Sequence, residues 1–380
     1  MRKIIFILLL LPLTIANAQN DLLAKNYLEQ GEYEKALVLY TKLYKKNKNF
    51  NYFKAIVASH QQLENFKEAE QLLKERLNNK RIIPQLYVEL GHNYSLQKND
   101  SLANINYDKA LLFVNESKKF NYGRSIGESF ERYSLLNYAI ETYIIAMNTF
   151  PDTDFSYQLA RIYGEQGNLE KMFDSYLVLI KKNPSYQGIA QQNFSLYISE
   201  NPAEEGNVLL RKALLQKLQK QPDVLYNELL SWLFIQQKEY KKAFTQEKAI
   251  YKRTGNNNLS GIVDIAYFAS NDDDENAILI VNFLIENAST PEEKIAGYQH
   301  LMKIKLKTAS EKEYPKIQKS YEDLFNEFGN GKKTYQLQLD YNYFLAFQNN
   351  KKNLAVSNLK SFSKQPLSRY QKARIKMLLA

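Results

Sequence analysis

Apolar side chains recur at i, i+3, i+4 and i+7 along most of the chain, as in Ala36, Leu39, Tyr40 and Leu43. That spacing lines one face of an α-helix. No alternating apolar/polar run is long enough to predict a strand. Pro84, Pro151, Pro184, Pro202, Pro222, Pro291 and Pro366 fall between the helical stretches. A residue without an amide hydrogen there ends one helix or opens the next. Pro315 is placed in a helix's first turn. The predicted class is all-α.

The helices come in pairs with a repeating phrase. Leu90-Gly91-x-x-Tyr94 is followed by Asn99 in a turn, then by Ala103, Tyr107 and Ala110 on a second helix. Gly31 to Leu37, leading to Tyr40 and Leu43, and Leu63 to Ala69, leading to Leu73, lie under it in register. The anchors Ala36, Ala69 and Ala103 are 33 and 34 residues apart. A fourth copy holds Gly127, Phe130, Ala139, Tyr143, Ala146 and Pro151; a fifth holds Leu159, Ala160, Tyr163, Gly167, Met172, Tyr176, Leu179 and Pro184. The phrase resembles the tetratricopeptide repeat (TPR) family, whose unit is a helix–turn–helix of about 34 residues. The resemblance implies an α-solenoid of stacked hairpins, forming a superhelix with a concave groove. Gly91 and Ala103 are expected where the two helices of a hairpin approach closest, and Ala110 where the second helix meets the next unit.

Later copies are looser. Ala243, Ala277, Ile317 and Ala355 serve as anchors, with spacings of 40 and 38 residues between the last three. One degenerate pair, carrying Leu210, Ala213, Leu214 and Leu218, fits between Met172 and Ala243. The chain therefore divides into well-matched repeats over 19–186 and degenerate ones over 187–380. Its last stretch, Tyr370 to Ala380, holds Ile375, Met377, Leu378 and Leu379 and looks like the middle of a first helix. The expectation is an end inside an incomplete repeat, because a solenoid needs a polar cap.

Residues 1–18 look like a signal peptide. Arg2 and Lys3 precede an apolar run from Ile4 to Leu13, and Ala16-Asn17-Ala18 supplies small residues before a cleavage at Gln19. That run is shorter than the roughly 20 residues a membrane span needs, and no other candidate span follows. The chain has no cysteine, which excludes disulfides, thiolate–zinc sites, cysteine catalysis and an acylated N-terminal cysteine. Heavy use of Lys, Asn, Tyr, Ile and Phe suggests an A/T-rich bacterial genome. The expected compartment is the periplasm of a Gram-negative bacterium.

The net charge is +10, or +8 once Arg2 and Lys3 leave with the signal. Basic residues are interspersed with carboxylates, so nucleic acid is not an expected partner. The short clusters Lys45-Lys46-Lys48, Lys181-Lys182 and Lys351-Lys352 are expected at helix C-termini, complementing the helix dipole. His60, His92 and His300 show no ligand spacing, so no metal is expected. Gly329-Asn330-Gly331-Lys332-Lys333 lacks the order of a phosphate loop and is read as an interhelix turn. The acidic run Asp272 to Glu275 lacks the spacing of a calcium loop and is placed as a helix cap. No catalytic residues or cofactors are predicted.

What remains is the concave face. The resemblance implies that first helices line the groove. It places Asn121, Arg124, Glu128, Glu131 and Arg132 there from the fourth repeat, and Tyr157, Arg161 and Glu165 from the fifth. The third contributes Gln85, Val88, His92, Ser95 and Leu96, and Trp232 takes a groove position in the repeat anchored by Ala243. The family's clamp for a peptide C-terminal carboxylate pairs a Lys with an Asn one turn on. Here Lys54 stands with Ala58 and Arg124 with Glu128, so chaperone-tail binding is not carried over. The expected function is a non-enzymatic scaffold holding a protein or peptide. Help in polysaccharide binding or export, and an enzyme with a diffuse helical site, are the alternatives.

Overall fold

The structure, a computed structural model, describes residues 20–79, 83–116, 119, 121–255 and 257–380. The expected signal peptide and cleavage site lie outside the described residues. The chain forms two compact units, residues 1–182 and Asn183–Ala380. Among the described residues every regular element is helical, in agreement with the all-α class.

The first unit holds five hairpins, each made of helices A and B in turn. Helices α1 (residues 20–29) and α2 (Tyr33–Asn47) form the first; α3 (Phe50–Gln62) and α4 (Phe66–Leu77) the second. They are followed by α5 (Gln85–Leu96) with α6 (Asp100–Glu116), α7 (Asn121–Arg132) with α8 (Leu136–Thr149), and α9 (Ser156–Glu165) with α10 (Leu169–Lys182). Helix α5 packs on α6 within its hairpin and on α7 of the next, while α6 packs on α8. The stacking is A on A and B on B.

A common closure makes each turn. The chain leaves helix A through one left-handed residue: Gly31, Glu64, Lys98, Ser134 and Gly167 all have positive φ. The next amide then donates back across the turn, as Asn65 N to His60 O, Asn99 N to Tyr94 O and Leu135 N to Phe130 O. This satisfies carbonyls that a helix end leaves without partners.

The anchors hold the seam inside each hairpin. Ala36, Ala69, Ala103, Ala139 and Met172 are all buried. Helices A and B come so close at Gly91 that an added Cβ would lie 2.3 Å from the Tyr107 ring and 3.0 Å from the Ala103 carbonyl. Gly127 meets the Tyr143 ring in the same way, at 2.4 Å. The two tyrosines then reach the following hairpin: Tyr107 is 5.6 Å from Phe130 edge-on, and Tyr143 stacks on Phe155 at 4.7 Å.

The second unit continues with hairpins of less regular length. It comprises α11 (Gln187–Phe194), α12 (Glu205–Lys220), α13 (Val224–Gln236), α14 (Tyr240–Thr254), α15 (Ser260–Asp272), α16 (Asp274–Glu286), α17 (Pro291–Thr308), α18 (Tyr314–Phe328), α19 (Tyr335–Phe347), α20 (Lys352–Ser363) and α21 (Arg369–Leu379). The stretch expected to hold one degenerate pair before Ala243 contains α11 and α12; on α12 Leu210 and Leu214 are buried, and α12 packs on α13. The wide spacings come from α17, 18 residues long, and from short 3-10 turns at Glu311–Glu313 and Lys332–Thr334. Pro315 sits in the first turn of α18. Asp273 caps α16 by accepting the Asn276 amide at 3.1 Å, as the acidic run suggested. Gly329 has φ +81° in an interhelix turn closed by the Thr334 hydroxyl, which donates to the Gly329 carbonyl at 2.7 Å.

Helix α21 starts in a capping box between Ser368 and Gln371. It buries Ile375 against Tyr335, Leu339, Leu359, Phe362 and Leu367, while Met377 stays 78% exposed. One cluster differs from expectation. Lys45-Lys46 and Lys181-Lys182 do occupy last turns, but Lys351-Lys352 opens α20. There the Lys351 ammonium donates to Gln318 Oε1 at 2.6 Å, away from the carbonyl end that the dipole would favour.

The seam predicts how core and surface changes differ. Ala103→Leu should lower stability by about 1–3 kcal/mol in urea unfolding followed by circular dichroism, because the added volume must separate α5 from α6. Gly188→Ala, on an exposed stretch of α11 with open space around the new Cβ, should leave stability unchanged or raise it by up to about 1 kcal/mol.

Candidate functional site: the helix-A face of the first unit

The A helices bring one cluster of charged and aromatic side chains together. Glu89 sits on α5 within an otherwise apolar run and is only 3% exposed. Its carboxylate is held from α7: Arg132 Nη1 donates to Oε1 at 2.7 Å, and the Tyr133 hydroxyl donates to Oε2. A buried charge requires such pairing, since removing either partner leaves it desolvated. Burial and the adjacent Glu89 push the Tyr133 hydroxyl far above its usual range. His92, one turn after Glu89, stacks flat on the Tyr133 ring with centroids 3.7 Å apart. Lys54 of α3 is pulled below the usual lysine range by burial, and then by Arg132; Glu89 and Glu128 act against the shift.

A second set ties α7 to α9. Glu131 accepts the Tyr143 hydroxyl at 2.5 Å on one oxygen and Arg161 Nη2 on the other. Arg161 also pairs with Glu165, one turn on, at 3.4 Å. Further out, Arg124 and Glu128 form a loose exposed pair at 3.8 Å. Arg124 also lies over the Phe155 ring at 5.7 Å and borders a recess of about 670 Å³, with Asn121, Phe150, Asp152 and Asp154 among its walls. Tyr157 stands at the start of α9, more than a third exposed.

The sequence-derived residues therefore separate into three groups. His92 and Arg132 join one buried-edge cluster, Arg161 anchors the next, and Arg124, Glu128 and Tyr157 lie at the surface, the first two as an exposed pair. Trp232 lies in the other unit, half-buried on α13 with its ring 6.4 Å from Phe194. Val88, expected in the groove, is fully buried, so its position on α5 belongs to the packed side of the helix and not to the open face. Sequence reasoning missed Glu89 and Tyr133, and considered Lys54 only as a clamp residue beside Ala58. The available signal was a lone carboxylate inside the apolar stretch Leu86 to Tyr94. It also missed Tyr267, Tyr343 and Phe347, which are 65%, 53% and 64% exposed on A helices of the second unit.

Burial holds the His92 and His60 imidazoles below the usual histidine range; at His60, Glu68 opposes the shift. In the fold these rings bind protons less readily than in the unfolded chain. Their contribution to stability is therefore full above the unfolded value of about 6.5 and declines as pH falls below it. Urea midpoints measured from pH 7.5 to 5.5 should fall for the wild type, and fall less for His92→Phe with His60→Phe.

No protein-family model matches this chain, and no curated protein matches it. Among solved structures it is similar to the C-terminal part of a TPR repeat-containing protein from Cytophaga hutchinsonii, with 16% identity over 72% of this chain and 97% of that one, TM-score 0.28. It is also similar to a tetratricopeptide repeat protein from Parabacteroides merdae, at 16% identity over 78% and 97% of the two chains, TM-score 0.26. Yeast Tom70 aligns at 12% identity over 96% of this chain and 88% of its own, TM-score 0.29. The chain resembles TPR proteins, and its all-helical hairpin architecture rests on the helix order and packing described above.

Proposed function

We propose that this chain is a non-enzymatic scaffold that binds a polypeptide along its A-helix face. The observation that carries the reading is the fixed array of charges on α5, α7 and α9. Glu89–Arg132 and Glu131–Arg161 stitch neighbouring A helices together. Around them Arg124, Glu128 and Glu165 point outward with side chains at least half exposed. Such an array offers guanidinium donors and carboxylate acceptors at set spacings, which gives register and specificity to an extended partner. The stitching pairs supply rigidity, so less side-chain freedom is lost on binding.

The periplasm is the proposed compartment, supported by the signal sequence of residues 1–18. Among the described residues no helix is long and apolar enough to cross a membrane. An envelope assembly or secretion process is the proposed setting. Polysaccharide binding or export is a second reading, favoured by the exposed aromatics Tyr267 and Tyr343 in the second unit.

Exchanging the two charges in Arg124→Glu/Glu128→Arg keeps an i,i+4 pair while inverting both positions. A partner isolated from envelope extracts should bind this double variant at least tenfold more weakly, with helical content unchanged. Equal affinity, or binding of purified oligosaccharide in place of protein, would count against the scaffold reading. N-terminal sequencing of the chain released by osmotic shock should begin at Gln19. A chain that keeps Met1, or stays wholly with membranes after a salt wash, would remove the periplasm from the account.

A further inference from the structure

A cavity of about 460 Å³ opens in the second unit between α15, the end of α16 and α17. Leu259, Val263, Leu284 and Ala296 give it apolar walls, and His300 supplies its polar edge. Two of the other polar side chains near its mouth, Glu293 and Asn258, are committed to local structure. Glu293 closes the capping box of α17, accepting the Ser289 amide at 2.7 Å and the Thr290 amide at 3.2 Å. Asn258 accepts the Ser260 amide at 2.9 Å.

His300 is different. Its Nε2 lies 2.7 Å from Ser270 Oγ, and the Ser270 hydroxyl already donates to the Ala266 carbonyl at 2.6 Å. The imidazole is therefore the donor in that contact. Burial, and then nearby Lys303, hold the ring below the usual histidine range, so at neutral pH it carries its one proton on Nε2. Its Nδ1 is left as an unspent acceptor. The volume falls within the range of ordinary ligand pockets, which combine apolar walls with a few placed polar groups. From the cavity wall, Val263 leads one turn along α15 to Tyr267 outside it, the two residues being 49% and 65% exposed. They extend the apolar surface beyond its mouth.

We propose that this cavity is a socket for an aromatic side chain bearing a hydrogen-bond donor, a tyrosine or tryptophan, presented by a bound polypeptide. The ring fills the apolar volume, its O–H or N–H donates to His300 Nδ1, and the flanking backbone crosses Val263 and Tyr267. This rests on the reading of the chain as a polypeptide-binding protein. It concerns only the second unit, so it stands or fails separately from the charged face of the first.

The full chain is titrated with two blocked pentapeptides, Gly-Gly-Tyr-Gly-Gly and its Phe counterpart, and with p-cresol, each followed by saturation-transfer NMR. The Tyr peptide should bind at least threefold more tightly than the Phe peptide. His300→Phe should erase that difference, and Ala296→Trp, which fills the cavity from an exposed position, should weaken both peptides at least tenfold. Thermal unfolding of the two variants confirms that they are folded. The proposal is overturned if the Tyr peptide does not bind, if Ala296→Trp leaves its affinity unchanged, or if the Tyr preference survives His300→Phe. Binding of p-cresol without the Tyr peptide would also overturn it, marking the cavity as a site for a free small phenol.

Discussion

The close approach of helices A and B across a residue without a side chain is the constraint on which the first unit depends. Gly91 and Gly127 allow a tyrosine from helix B to lie flat against helix A. That tyrosine then meets an aromatic ring of the following hairpin, Phe130 on α7 or Phe155 just before α9. One side chain thus closes its own hairpin and receives the next. Neither ring could reach the next repeat if a Cβ held the helices further apart. Both rings are buried, and burial pushes the Tyr107 hydroxyl up to about 12 and Tyr143 higher still.

What the A helices show to solvent follows from that arrangement. Their apolar sides are spent on helix B and on neighbouring hairpins, leaving one face for polar chemistry. In the first unit that face is charged and cross-linked between repeats, with Glu89 and Glu131 buried enough to need their arginines. In the second unit the corresponding helices expose rings instead: Tyr343 and Phe347 on α19 lie 4.7 Å apart. The two units therefore offer different chemistry, ionic in one and aromatic in the other.

Much of this was legible in the sequence, because the residues that set the fold are the ones with a period. The anchor alanines, the seam glycines and the interhelix prolines repeat, and each occupies the place its spacing implied. Turn chemistry was less visible, since Glu64, Lys98 and Ser134 adopt the left-handed conformation where glycine is the usual signal. The stitching cluster was harder still. Arg132 and His92 could be placed on helix faces, but Glu89 and Tyr133 meet only when α5 lies on α7, and no local rule reports that distance. Lys351 misled because α20 begins just after it, and its ammonium then meets Gln318, 33 residues away in sequence.

The seam itself is tested most directly by a double-mutant cycle on Gly127 and Tyr143, with stability read from urea unfolding. In the wild type Gly127→Ala should cost about 1–3 kcal/mol, because the new methyl overlaps the tyrosine ring. In a Tyr143→Ala background the same change should be neutral or stabilising by up to about 1 kcal/mol, the intrinsic preference of alanine over glycine in a helix. An equal loss in both backgrounds would show that the ring does not occupy the space the glycine leaves, and would contradict the account.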